Sequence, residues 1–184
     1  MEIWYTMTGT VDGKGVQEAI TWINGELYSK SVRKLRFLLA ASGGELAAGS
    51  NLHTYLAAIP IEVKTIAFGE VDMAAIPIYL GGRWRIAIKG CQFIFHEGLY
   101  TTQRRTASLR GHEEILTGFR RELREVIYIV ADETKNDMEV VANMLKRGKT
   151  MQTEEALEFG LCHEITEKLP LAQQEKGIGF RKRG

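Results

Sequence analysis

Residues 65–82 read TIAFGEVDMAAIPIYLGG. The run opens on β-branched and apolar residues, crosses Gly69, and passes through Asp72 and Met73 into an Ala- and Ile-rich stretch containing Pro77. That is the pattern of a strand, a turn and the start of a helix. In many hydrolases such a turn displays a nucleophile. This one holds neither Ser nor Cys, which raises the question of what the turn is for when Met73 sits at its centre.

Outward from this stretch, short apolar runs alternate with helical patterns. Residues 3–7, 35–39, 63–67, 84–87 and 93–95 are predicted strands. Val16, Ala19, Ile20 and Ile23 share one helical face before the second strand, and Leu52, Leu56 and Ile59 share another before the third. The alternation predicts parallel βαβ crossovers and one α/β domain over residues 1–170. Beyond His96 the character changes. Residues 109–133 predict one long charged helix with Ile115, Leu116, Phe119, Leu123, Val126, Ile127 and Val130 as its apolar positions. It is too long for a crossover and is expected to project as a handle that buries its stripe against another subunit. Asn136 with Glu139 predicts a capping box, and Thr153, followed by Glu154 and Glu155, predicts the N-cap of a further helix. Residues 171–184, LAQQEKGIGFRKRG, are expected to form a flexible basic tail.

With 184 residues and 45% apolar composition, the chain can bury a core without staples. A net charge of +1 gives no reason to expect a nucleic-acid partner. Glu2 stands where a secretion signal would carry a basic residue, and no apolar run approaches a membrane span, so a cytoplasmic location and no membrane partner are expected. Cys91 and Cys162 lack CxxC spacing and are expected to be reduced, buried thiols. His53, His112 and His163 show no ligand spacing, so neither metal nor cofactor is expected.

Two predicted strand ends converge on one site: residues 35–39 run into AASGGELAAG, and residues 63–67 into FGEVDMAA. A Gly pair after a strand lets backbone amides face an anion or oxyanion. The order LLAASGGELAAGSNLHTYL, VKTIAFGEVDMAAIPIYLGG, QFIFHEG and QTEEALEFGL resembles the ClpP family, the proteolytic subunit of the Clp protease, with its SPGG turn, GxxSM elbow, MIHQP strand and AxEYGL helix. The resemblance runs from about residue 3 to 165 and is gapless over residues 43–82. It implies a crotonase-like spiral of βαβ units with a handle helix. The family's nucleophile falls on Met73, its catalytic histidine on His96 and its acid on Gly148; the oxyanion amides fall on Gly44 and Ala74. Ala41 and Ser42 take the places of the family's serine and proline, so Ser42 is not a displaced nucleophile.

With Met73 and Gly148 in place of a hydroxyl and a carboxylate, a triad cannot operate. Asp72 is expected to cap the helix that builds the oxyanion hole, or else to act as an acid with Glu70 or His96. The resemblance also implies a cyclic homo-oligomer, a seven-membered ring foremost, with an active ClpP-like paralogue or a Clp ATPase as further partners. GIGF, residues 177–180, is similar to the Gly-Phe tripeptide by which Clp unfoldases dock on ClpP rings, a match expected to be coincidental. The leading expectation is a catalytically degenerate, ring-forming scaffold or binding subunit. One alternative is an enzyme of another kind on the same fold, using the Gly44 and Ala74 amides with Asp72, Glu70 or His96 as acid or base, or residual Clp-type peptidase activity together with a paralogue. The other is a Ser–Lys peptidase of signal-peptide-peptidase-A type relying on Ser42 or Ser50.

Overall fold

The computed structural model describes residues 1–98 and 108–169. Three successive strands, β1 (Glu2–Val11), β2 (Lys34–Gly44) and β3 (Glu62–Asp72), are joined by helices α1 (Gly13–Ser29) and α2 (Leu46–Ala58). After them come α3 (Ile76–Leu80), β4 (Trp84–Ile88), β5 (Gln92–Ile94), α4 (Leu109–Thr134), α5 (Met138–Arg147), β6 (Thr150–Met151), α6 (Thr153–Phe159) and β7 (Glu164–Thr166). The main sheet has the order β1-β2-β3-β4-β7 and is parallel throughout. The expected α/β class and βαβ succession are therefore present.

β3 is shared between two partners. Its first half pairs with β4, from Lys64↔Trp84 to Ala67↔Ala87, and its far end pairs with β5, from Glu70↔Gln92 to Asp72↔Ile94. Gly69, at φ 67°, lies between the two halves. β6 then pairs antiparallel with β5. This split carries the end of β3 out of the main sheet and sets the segment after β5 beside it.

Alternation along the strands sorts the core. Ile3, Leu35, Phe37, Leu39, Val63 and Ala67 face α1 and α2, whose Val16, Ala19, Ile23, Leu52 and Leu56 complete a buried cluster. α1 starts where Asp12, in extended conformation, accepts the Gly15 N–H at 2.7 Å.

α4 divides into two parts. Val126, Ile129, Val130 and Ala131 are buried, and the helix packs on α2, α3 and α5. Towards its start Leu109 is exposed and Ile115, Leu116, Phe119 and Leu123 are half-buried. The predicted caps shift by one residue. α5 is capped at Asp137, because the Asn136 amide is instead donated to Thr134 and to the Phe159 carbonyl at 2.8 Å. α6 is capped at Gln152, whose N–H donates to the Glu155 carboxylate at 3.3 Å, and Thr153 is already helical. The tail expected over residues 171–184 lies outside the described residues, as does its GIGF segment.

Candidate functional site

The ends of β2, β3 and β5 meet along one edge of the molecule. Asp72 is the last residue of β3 and stands opposite Ile94, so the chain two residues further on, at His96, runs past its carboxylate. Phe95 is fully buried and donates its N–H to the Lys149 carbonyl at 2.8 Å, which anchors the segment. His96 Nε2 lies 2.7 Å from Asp72 Oδ1. The Gly98 N–H donates to His96 Nδ1 at 2.9 Å, so the ring proton belongs on Nε2, where it is donated to Asp72. Asp72 Oδ1 also accepts the Met73 N–H at 2.6 Å.

These groups border a cleft of about 550 Å³ lined by Gly43, Gly44, Met73, Ala74, His96 and Gly98, with Phe119 and Glu122 of α4 on its far side. Met73, 1% exposed, is held in place by its surroundings. Its thioether has neither a proton to surrender nor an oxygen to be acylated. The His96 side chain is 40% exposed and lines the cleft, whereas that of Asp72 is 15% exposed and is not part of the lining.

Backbone packing accounts for two of the glycines at and beside the cleft, Gly44 and Gly49. Gly44 has φ 130°, and a Cβ there would lie 2.1 Å from the Val11 carbonyl oxygen. Gly49 on α2 brings that helix directly onto the turn after β3: a Cβ would lie 2.0 Å from the Ala74 carbonyl oxygen. Because Gly49 has ordinary helical geometry, Gly49→Ala tests the contact alone. The substitution should cost about 1–3 kcal/mol by overpacking, read as a lower urea midpoint at unchanged slope. Stability equal to the parent would mean that α2 and the Ala74 turn separate freely.

Gly44, Ala74, Met73, Asp72 and His96 are thus brought together. Gly148 is not: it is the exposed αL cap of α5, at φ 66°, outside the cleft lining. Glu70 is exposed and takes no part in the hydrogen bonds of His96, and Ser42 is exposed while Ser50 is buried in α2, neither lining the cleft. The expected N-cap role of Asp72 is not what its position serves. α3 begins three residues beyond Met73 with Ala75 as its cap, and the Asp72 carboxylate is taken by the Met73 N–H and His96. Gly98, Phe119 and Glu122 were not singled out for this cleft. Gly98 is legible in QFIFHEG as a turn residue after His96, whereas nothing in the stripe of α4 says that Phe119 faces the cleft. Among the described residues no group of three or more His, Cys, Asp or Glu side chains could hold a metal ion, and no helix is long and apolar enough to cross a membrane.

A family model described as Clp protease matches residues 17–169, which includes every residue of this cleft. The chain belongs to the Clp protease family. A solved structure of a ClpP1 mutant from Listeria monocytogenes is similar in fold, with a TM-score of 0.77 over 90% of this chain and 91% of that one at 18% identity. Within the Clp protease family frame, this chain has Met73 and Gly148 at two positions of the triad that the sequence resemblance assigns, and an Asp72–His96 pair at the third.

Proposed function

We propose that this chain is a catalytically degenerate Clp-type subunit that serves as a ring-forming scaffold or binding subunit. The observation that carries the reading is the state of His96. A triad base must present a nitrogen lone pair to a hydroxyl. Here Nε2 faces Asp72 at 2.7 Å, Nδ1 accepts the Gly98 N–H at 2.9 Å, and the neighbouring nucleophile position holds a buried methionine. The imidazole is committed on both sides.

Protein shown by mass spectrometry to be free of host ClpP is expected to leave fluorogenic peptides uncleaved and to take up no fluorophosphonate. Turnover that stays with the purified chain would end this reading. Assembly is its other half. Leu123 packs on the core of the same chain, but the exposed Leu109 and the half-buried Ile115 and Leu116 towards the start of α4 do not, and they support a subunit interface; a cyclic assembly, a heptamer foremost, accords with the family. Light scattering at micromolar protein should report a large particle, and a clean monomer would sink the scaffold role.

One observation favours a second reading, acid–base chemistry of another kind. Asp72 Oδ1 is held by His96 and the Met73 N–H, while its Oδ2 lies 3.8 Å from where a Cβ would stand on Gly43, which lines the cleft. That oxygen could accept a proton from a carbon acid or a water while the Gly44 and Ala74 amides receive the negative charge. On that reading an ester or acyl thioester is turned over by the unmodified chain and Asp72→Asn abolishes it.

A further inference from the structure

The cleft is acidic. Among the described residues its lining holds two carboxylates, Glu45 and Glu122, and no Lys or Arg, while the ring proton of His96 is turned towards a third carboxylate, Asp72, at 2.7 Å. Glu45 directly precedes α2 but gives that helix no side-chain cap. Its Oε2 instead accepts the N–H of Gly13 at the start of α1, at 3.2 Å, which fixes the carboxylate on one wall. Glu122 stands on the opposite wall, one turn along α4 from Phe119. Neither carboxylate is held in an ion pair among the described residues. Between the walls the surface is apolar. Leu46 and Met73 are buried there, and the Phe119 ring lies against the turn after His96, 3.5 Å from where a Cβ would stand on Gly98.

We propose that Glu45 and Glu122 select the ligand of this cleft, and that the ligand is a peptide presenting a Lys or Arg side chain. The methylene stem of such a side chain matches Leu46, Met73 and Phe119, and its head matches carboxylates that have no cation of their own. An acidic ligand would meet three like charges. Size and backbone favour a peptide over a free amine. The cleft, at about 550 Å³, has the volume of an ordinary ligand site, more than one ammonium group fills. β2 runs on to Gly44, whereas its pairing with β3 ends at Ala41↔Val71, so Gly43 in the lining has no β3 residue opposite it. Its main chain is placed to meet that of an extended peptide. This inference deepens the binding-subunit reading and rests on it.

The test titrates the full chain with blocked pentapeptides Ala-Leu-X-Leu-Ala, where X is lysine, arginine, norleucine or glutamate. Norleucine keeps the stem and drops the charge. Lysine and arginine should bind about tenfold or more tighter than norleucine, the worth of a charge-assisted hydrogen bond partly open to water, and glutamate should bind most weakly. Raised salt should narrow the gap between lysine and norleucine. Glu45→Gln keeps an oxygen for the Gly13 N–H, so its effect reads the charge. It and Glu122→Gln should each lower the lysine affinity severalfold, and the double variant should bring lysine down to norleucine. Cleavage of the lysine peptide but not the norleucine peptide, followed by mass spectrometry, would end the degenerate reading and leave the selection by charge standing. Equal affinity for lysine and norleucine, or no binding of any of the four, would overturn the proposal. So would a lysine preference that survives in the double variant. n-Butylamine binding as tightly as the lysine peptide would overturn it too, by assigning the cleft to a free amine.

Discussion

Met73→Ser is expected to leave the protein at background on fluorogenic peptides. The added hydroxyl would stand in the right stretch of chain but would find no base, since His96 Nε2 carries the ring proton towards Asp72 at 2.7 Å. A histidine in the wrong tautomer costs about 10⁴ in a triad, and loss of the serine or the base about 10⁶. Asp72 also puts a carboxylate beside the amides that would receive an oxyanion. Adding Asp72→Ala removes the carboxylate from beside the amides and takes away the partner of Nε2, while the Gly98 N–H still holds Nδ1 as the acceptor. Adding Gly148→Asp restores a carboxylate at the position the family resemblance assigns to the acid. The site accepts it sterically, because no atom lies within 4 Å of a Cβ there, although φ 66° costs about 1 kcal/mol. Gly148 adjoins Lys149, whose carbonyl holds Phe95, so the new carboxylate would arise near the root of His96. It would have to displace the Gly98 N–H from Nδ1, so recovery should be partial.

The expected order of kcat/KM is therefore the triple variant first, then Met73→Ser with Asp72→Ala, then Met73→Ser at background. Oxyanion-hole catalysis alone leaves about 10³–10⁴ over water, which sets the level of the weaker constructs. If Met73→Ser alone is labelled stoichiometrically by a fluorophosphonate, Asp72 is already acting as the partner of a working His96 and the degenerate reading fails.

The parts of this molecule that could be read in the sequence are those whose signal is local. β1 to β3 and the helices between them carry apolar periods long enough to be distinguished, and their spacing leaves few arrangements besides parallel crossovers. β6 and β7 are two and three residues long, too short for a period, and exist because β5 and β4 offer them an edge. The stripe of α4 keeps one period along its length, yet its last turns lie in the core and its first do not, a difference set by which helices stand opposite. The cap readings at Asn136 and Thr153 missed by a single residue because Asp137 and Gln152 beside them serve the same purpose. Asp72 is the instructive case. A carboxylate ahead of a helical pattern reads as a cap, whereas its true partner, His96, reaches it only because the far end of β3 leaves β4 and pairs with β5.

Arg85→Ala should be the most destabilising single change in the sheet, at about 3–5 kcal/mol. Nothing in the run GRWRIAIKG marks this arginine, yet alternation turns it inward and its side chain is 5% exposed. Its Nε donates to the Leu161 carbonyl at 2.7 Å, Nη1 to the Glu133 carboxylate at 3.0 Å, and Nη2 to the Gly160 and Glu133 carbonyls at 3.1 and 3.2 Å. Glu133 lies in the last turn of α4 and Gly160 caps α6, so one guanidinium closes two helix C-termini, where unpaired carbonyls and the negative dipole end both favour a cation.

A buried ion pair can often be replaced by apolar residues at little cost, because both partners are removed together. That escape is closed here, since three of the four acceptors are backbone carbonyls. Arg85→Met should therefore lose nearly as much as Arg85→Ala. Arg85→Lys keeps the charge but not the fork, and should lose about half. Urea midpoints will rank the variants. The labelling rate of Cys91 and Cys162 gives a second scale, because buried thiols react only when the chain opens and should do so about 10²–10³-fold faster in Arg85→Ala. A loss below 1 kcal/mol in Arg85→Met would mean that water satisfies these carbonyls as well as the guanidinium does, and that the anchor between β4 and the ends of α4 and α6 lies elsewhere.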